Sequence, residues 1–254
     1  VRLISNAHTL DGKVVFITGS GRRIGAQIAR DLAAAGAAVL VHVNSSIEQG
    51  RAVVSEIIKG GGVASLIIGD LSTVEGCEEI VNAVFSDPMV EEFGGIDLLV
   101  NNASVFVEQR LENMDHELLQ KMFAIHAQAP ALLTKGLLPS LRMRKGSVVN
   151  MVDNSYDRPW SGYSGYCASK AALVNLTKSL SLELAPNVRI NAIAPGAILP
   201  AAHEEEIMDE IAAQIPMKKW GSPSDISEAV MYLASANYIT GQIITVDGGW
   251  SLTR

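Results

Sequence analysis

Basic charge is scarce and unclustered in this sequence. Twenty Lys and Arg stand against 27 Asp and Glu, for a formal charge of −7. No Lys/Arg block occurs, which argues against a nucleic-acid-binding surface or a polybasic membrane patch. Cysteine is nearly absent. Cys77 and Cys167 are far apart, which suits a reducing compartment better than a disulfide framework. No His/Cys cluster has metal-ligand spacing, so no metal is expected. No apolar run is long enough to span a bilayer. Residues 1–10 lack the basic region and long apolar run of a signal peptide. A cytoplasmic protein is the expectation, and an organellar origin with its transit peptide removed stays open. Internal repeats, low-complexity tracts and clear linkers are also missing. The 254 residues therefore suit a single large domain, 1–254.

What is present is a steady alternation of strand and helix. Lys13–Thr18, Ala38–Val43, Ala64–Ile68, Ile96–Val100, Ser147–Val152, Val188–Ile193 and Gln242–Val246 are short apolar runs, as in parallel strands buried on both faces. Ile24, Ile28 and Leu32 recur at helical spacing, and Gly36 ends that helix as a C′ glycine. Glu48–Ile58 predicts a helix closed by Gly60-Gly61-Gly62. Thr73–Phe93 is helical with a break at Pro88. Asp115–Leu141 is helix-rich, interrupted or bent at Pro130. Tyr163–Ala185 is a long helix, and Ser224–Ser235 a shorter one begun by Ser224 and Asp225. The stretch 197–216 is the least regular, with Glu204-Glu205-Glu206 beginning a solvated helix. This order implies a doubly wound parallel sheet in the α/β class.

Three stretches carry chemistry. Tyr166 and Lys170 lie four residues apart on one helix face, where an ammonium can favour the ionised form of a phenol. Such a phenol can donate a proton and be reprotonated. Thr18 to Gly25, with Gly19, Gly21 and Gly25, lies between a strand and a helix. Glycines there allow close backbone approach to a pyrophosphate at a helix N-terminus. Asn101-Asn102-Ala103 and Pro195-Gly196 each follow an apolar strand.

Together these stretches resemble the short-chain dehydrogenase/reductase family across nearly the whole chain. The resemblance implies a Rossmann-type fold, a nicotinamide cofactor and a homotetramer. It places Gly19, Gly21, Arg22, Arg23 and Ile24 in the phosphate turn, although Arg23 stands where the family has its middle glycine. Asp70 and Leu71 match the adenine contact. Asn102, Ala103 and Ser104 match the ribose side, Pro195 and Gly196 the nicotinamide turn, and Tyr166 and Lys170 contact the cofactor as well. No acid follows the second strand, where one would bind the ribose hydroxyls of NAD. Arg22 with Asn44, Ser45 and Ser46 could instead take a 2′-phosphate, so the expected cofactor is NADPH/NADP.

The family places a Ser thirteen residues before the Tyr, and here that position is Asp153. Ser155 is two positions off. A carboxylate beside the phenol would repel a developing alkoxide but suits a substrate with N–H groups. That is the pattern of the pteridine reductases within the family. Arg23 and Phe106 fit it too, Arg23 reaching both cofactor and substrate and Phe106 stacking on a flat ring. The resemblance thus implies NADPH-dependent reduction of a pterin or dihydropterin, with Asp153, Tyr166 and Lys170 catalytic. Arg23, Phe106, Asp153 and Tyr166 would bind the substrate. A general carbonyl reductase, of the 3-oxoacyl or sugar-alcohol type, and a non-catalytic dinucleotide-binding regulator are the alternatives. His126 replaces the family Asn that holds a relay water. It could hold that water, shuttle protons, or simply pack.

Overall fold

Val14–Ile17 (β1) is four residues long and wholly buried. Its side chains alternate between two cores, as a strand's must. Val15 and Ile17 join one apolar cluster, Val14 and Phe16 the other. Both faces of the sheet are therefore covered by helices. The computed structural model describes residues 10–200 and 205–253. The expectations for residues 1–9 and for Glu204 lie outside the described residues.

The remaining strands are Ala38–Val43 (β2), Val63–Ile68 (β3), Leu98–Asn101 (β4), Ser147–Met151 (β5), Arg189–Pro195 (β6) and Ile243–Val246 (β7). All pair in parallel in the order β3-β2-β1-β4-β5-β6-β7. The order reverses between β1 and β4, and a crevice opens at the strand ends on either side of such a switch.

The helices are Arg23–Ala34 (α1), Ile47–Lys59 (α2), Val74–Phe85 (α3), Pro88–Phe93 (α4), His116–Phe123 (α5), Ala129–Arg144 (α6), Ser164–Leu184 (α7), Met208–Gln214 (α8) and Pro223–Ser235 (α9). One layer packs α1 between α2 and α9. On the other face α3 packs against α6, and α7 lies on β6. Among the described residues no helix is long and apolar enough to cross a membrane.

Three boundaries differ from expectation for local reasons. Pro88 breaks the helix and then starts the next one, at N1 behind an Asp87 cap on the Met89 N–H, where a missing N–H costs nothing. The interruption near Pro130 is a π-helical turn, Ala124–Gln128, with Pro130 just inside α6. α9 is capped by Ser222 rather than begun by Ser224. Ser222 and Asp225 form a reciprocal capping box.

A buried polar line sets α7 against the sheet. Asn101 donates to Asn150 Oδ1 at 2.8 Å, and Asn150 donates to Thr177 Oγ1 at 2.9 Å. It links β4, β5 and the helix that carries Tyr166. Asn150→Ala is expected to strand the Asn101 amide and to cost about 2 kcal/mol, read as a lower urea midpoint.

Candidate active site

The Gly-rich turn is clamped from β4. The Asn102 side-chain amide donates to the carbonyls of Thr18 (2.9 Å) and Gly19 (3.0 Å). Thr18 Oγ1 accepts the N–H groups of Asn102 and Ala103 in return. Gly19 has φ +62, and a Cβ there would lie 2.8 Å from Ala103 Cα. A Cβ on Gly25 would strike the Gly19 carbonyl and the Asn102 amide. These glycines let two backbones meet. Beyond them α1 begins with no capping side chain and no acid in its first turn. Its amides and positive dipole end face the cavity, which fits a pyrophosphate.

His42 also holds this turn, and the sequence reading missed it. It is buried in β2, and its Nδ1 accepts the Gly19 N–H at 3.1 Å. Nε2–H therefore donates to the Gly69 carbonyl at 3.2 Å. Burial lowers its pKa to about 4, so the imidazole is neutral. A His next to the C-terminal end of an apolar strand, just before the loop that follows it, was the available signal.

On the other side of the crevice, Asp153 leaves the end of β5 in extended conformation. Its Oδ1 accepts the Ser155 N–H and its Oδ2 the Tyr166 O–H, each at 2.8 Å. It is a loop cap and a phenol partner at once. Lys170 donates to the Met151 carbonyl at 2.8 Å, and its Nζ lies 5.7 Å from the Tyr166 ring centre. Tyr166 and Lys170 are buried. Ser155 is also buried, outside the cavity lining.

The electrostatics revise one expectation. Tyr166 is pushed well up, by burial and then by the Asp153 carboxylate. It is not pulled down, because Asp153 touches the hydroxyl while the ammonium sits over the ring. Burial raises the Asp153 carboxyl and lowers Lys170 to about 8, against the pull of Asp153. Burial and the Lys170 charge push His126 down to about 2. The ring is therefore neutral near pH 7, which argues against a cationic proton shuttle there.

A cavity of about 750 Å³ brings together Gly19, Arg22, Arg23, Ile24, Asn102, Ser104, Phe106, Asp153, Tyr166, Lys170, Pro195 and Gly196 of the expected residues. Gly21, Asn44, Ser45, Ser46, Asp70, Leu71 and Ala103 do not line it. Gly21 packs on Val43. Asn44 donates to Asp70 at 3.3 Å, and Asp70 accepts the Ser72 N–H. Arg23 has φ +54 and donates to the carbonyls of Leu199 (3.2 Å) and Pro200 (3.3 Å). It ties the turn to the segment after β6. Phe106 is 43 % exposed. One face stacks on Tyr163 at 4.8 Å, and its edge meets Tyr166 at 4.9 Å. Trp160, Trp220 and Trp250 complete the walls. They follow no periodicity, but Trp160 and Trp250 lie past the C-terminal ends of β5 and β7, where such folds bind ligands.

Comparisons agree with this geometry. Residues 19–251 match the family model described as enoyl-(acyl carrier protein) reductase. A 3-oxoacyl-[acyl-carrier-protein] reductase of Aquifex aeolicus is 36% identical over 94% of this chain and 98% of its own. A short-chain dehydrogenase/reductase from Serratia marcescens superposes with TM-score 0.87 at 31% identity, covering 96% of this chain and 100% of that one. The chain belongs to the short-chain dehydrogenase/reductase family. It is an oxidoreductase of that family. A further similar structure is FolM, alternative dihydrofolate reductase 1, from Brucella canis in complex with NADP. It has TM-score 0.85 and 34% identity over 94% of each chain.

Two outcomes are expected here. Gly25→Ala drives a methyl into the Gly19 carbonyl and should abolish binding of a reduced nicotinamide dinucleotide, read by nucleotide fluorescence. His42 takes up a proton near pH 6.5 when unfolded but only near 4 when folded, so the unfolded state binds more protons between those values. Stability should be full above about 6.5 and fall as pH drops toward 4. Urea midpoints across that window should fall less steeply in His42→Gln.

Proposed function

We propose that this short-chain oxidoreductase reduces a pterin or dihydropterin with NADPH. The observation that carries the reading is the 2.8 Å contact between Asp153 and Tyr166. A substrate with adjacent ring N–H and ring nitrogen has a use for both groups. Asp153 accepts the N–H, and Tyr166 delivers a proton to the ring nitrogen. The proton Tyr166 gives up is replaced through Asp153, whose raised pKa lets it carry one. The flat aromatic walls of the cavity suit a planar heterocycle. The NADP-bound alternative dihydrofolate reductase among its structural neighbours supports the same reading.

NADPH, when bound, supplies the hydride for a C=N carbon. The α1 amides would hold its pyrophosphate, and Arg22 with Asn44, Ser45 and Ser46 its 2′-phosphate. Asp70 and Leu71 would flank the adenine, Lys170 and Tyr166 would take a ribose, and Pro195-Gly196 would back the nicotinamide. The unpaired, buried thiols of Cys77 and Cys167 suit the cytoplasm. A homotetramer is proposed on likeness, with the exposed Leu182 on α7 available to a partner.

The second reading is a carbonyl reductase, favoured by the identity to the 3-oxoacyl reductase. NADPH oxidation with dihydrobiopterin, dihydrofolate and a β-ketoacyl thioester separates the two. Under the pterin reading, Asp153→Ser lowers pterin turnover by about 100-fold while leaving the NADPH Kd unchanged. Turnover of the thioester alone, kept or improved in Asp153→Ser, would establish the second reading. The raised Asp153 pKa also sets a pH limb. Pterin turnover should fall as pH rises through it, and Asp153→Asn should remove that limb.

A further inference from the structure

The helical stretch between β4 and β5 is interrupted by the π turn Ala124–Gln128. Such turns often mark places where a side chain must be specially aimed. This one aims His126 into the interior, where it is 1 % exposed. The imidazole uses both nitrogens. Nε2 accepts the Val105 N–H at 2.9 Å, so Nδ1 carries the ring proton. Nδ1–H donates to Ser169 Oγ at 2.7 Å, and the Ser169 hydroxyl donates to the Tyr166 carbonyl at 2.7 Å. The Ser104 hydroxyl lies 3.0 Å from the same Nε2. The ring also meets Tyr166 edge-on, with centroids 5.6 Å apart.

Both ends of this bridge matter to the cavity. Residues 102–110 lie in neither helix nor strand, so the position of Phe106 depends on what its neighbours' backbone can hold. The other end, Ser169, lies on α7 between Tyr166 and Lys170. A residue needed only to fill space would not require a matched acceptor and donor at its two ring nitrogens. We propose that His126 is a positioning residue, a two-ended clamp that sets the Phe106 wall of the cavity in register with the helix carrying Tyr166. The inference rests on the reading that Tyr166 and Phe106 act on the substrate.

The two ends can be cut separately. Asn reproduces the Nδ1 position and can donate to Ser169, but cannot reach Val105. Gln reproduces the Nε2 position and can accept from Val105, but leaves Ser169. The assay uses whichever of dihydrobiopterin, dihydrofolate and the β-ketoacyl thioester the wild type turns over. In His126→Asn, KM for that substrate should rise about tenfold with kcat within about twofold, because the wall is loosened and the proton donor is not. In His126→Gln, kcat should fall about tenfold with KM nearly unchanged, and Ser169→Ala should reproduce that pattern. Near-UV circular dichroism of the substrate-free protein gives a readout independent of turnover. The signal of the packed Phe106, Tyr163 and Trp160 rings should weaken in His126→Asn and persist in His126→Gln. Parallel losses in kcat and KM in both variants, or a near-UV signal that responds equally to both, would reduce His126 to a packing residue and overturn the proposal. A wild type inactive on dihydrobiopterin, dihydrofolate and the thioester alike would overturn the proposed function, while the near-UV comparison would still decide the clamp.

Discussion

The pairing of β1 with β4, bridged by the Asn102 amide, is the constraint on which the rest of the site depends. The sheet reverses its order there, so the chain leaves the two strands in opposite senses and a crevice opens between the departing segments. One amide bonded to two successive carbonyls of the Gly-rich turn keeps that crevice from closing or shearing. The turn can then approach β4 so closely that its glycines admit no side chain. The residues with chemistry converge on this junction from both sides, with Tyr166 and Lys170 brought in by α7. Asp153 hangs from β5 and Pro195-Gly196 from β6, and Trp250 follows β7.

Around the phenol the charges are arranged in opposition. Burial alone pushes Asp153 and Tyr166 toward their protonated forms and Lys170 and His126 toward their unprotonated ones. The Asp153–Tyr166 hydrogen bond therefore lies in a dry place, between two groups that burial pushes toward their protonated forms. The His126 imidazole contributes no charge to this balance and can serve as fixed geometry. A carboxyl group in that role changes which substrates are tolerable, because when ionised it repels an oxyanion and in either state its oxygen can hold an N–H.

The doubly wound fold was legible because seven apolar runs alternate with helical periodicity, and each run became a strand within a residue or two. Tyr166, Lys170, Asp153 and the Gly-rich turn were legible because their chemistry is carried by local spacing. The direction of the Tyr166 shift was not. Spacing puts Lys170 on the same helix face but cannot say how deeply the phenol is buried, which is the main cause of the upward shift, with the Asp153 carboxylate adding to it. His42 and the tryptophans were hidden for the same reason. Their partners are brought in by the sheet, and nothing periodic announces them. Residue 126 was noticed, but its role depends on Ser104, Val105 and Ser169, which only the tertiary structure gathers.

The chain has three tryptophans, and all three line the same cavity. None is spent on the hydrophobic cores between the sheet and its helices. The intrinsic indole emission of this protein therefore comes entirely from the walls of one site. Its colour reports the polarity of that cavity, and its quenching the arrival of whatever enters. Unfolding of the distant layers would leave it dark to them until the cavity itself comes apart.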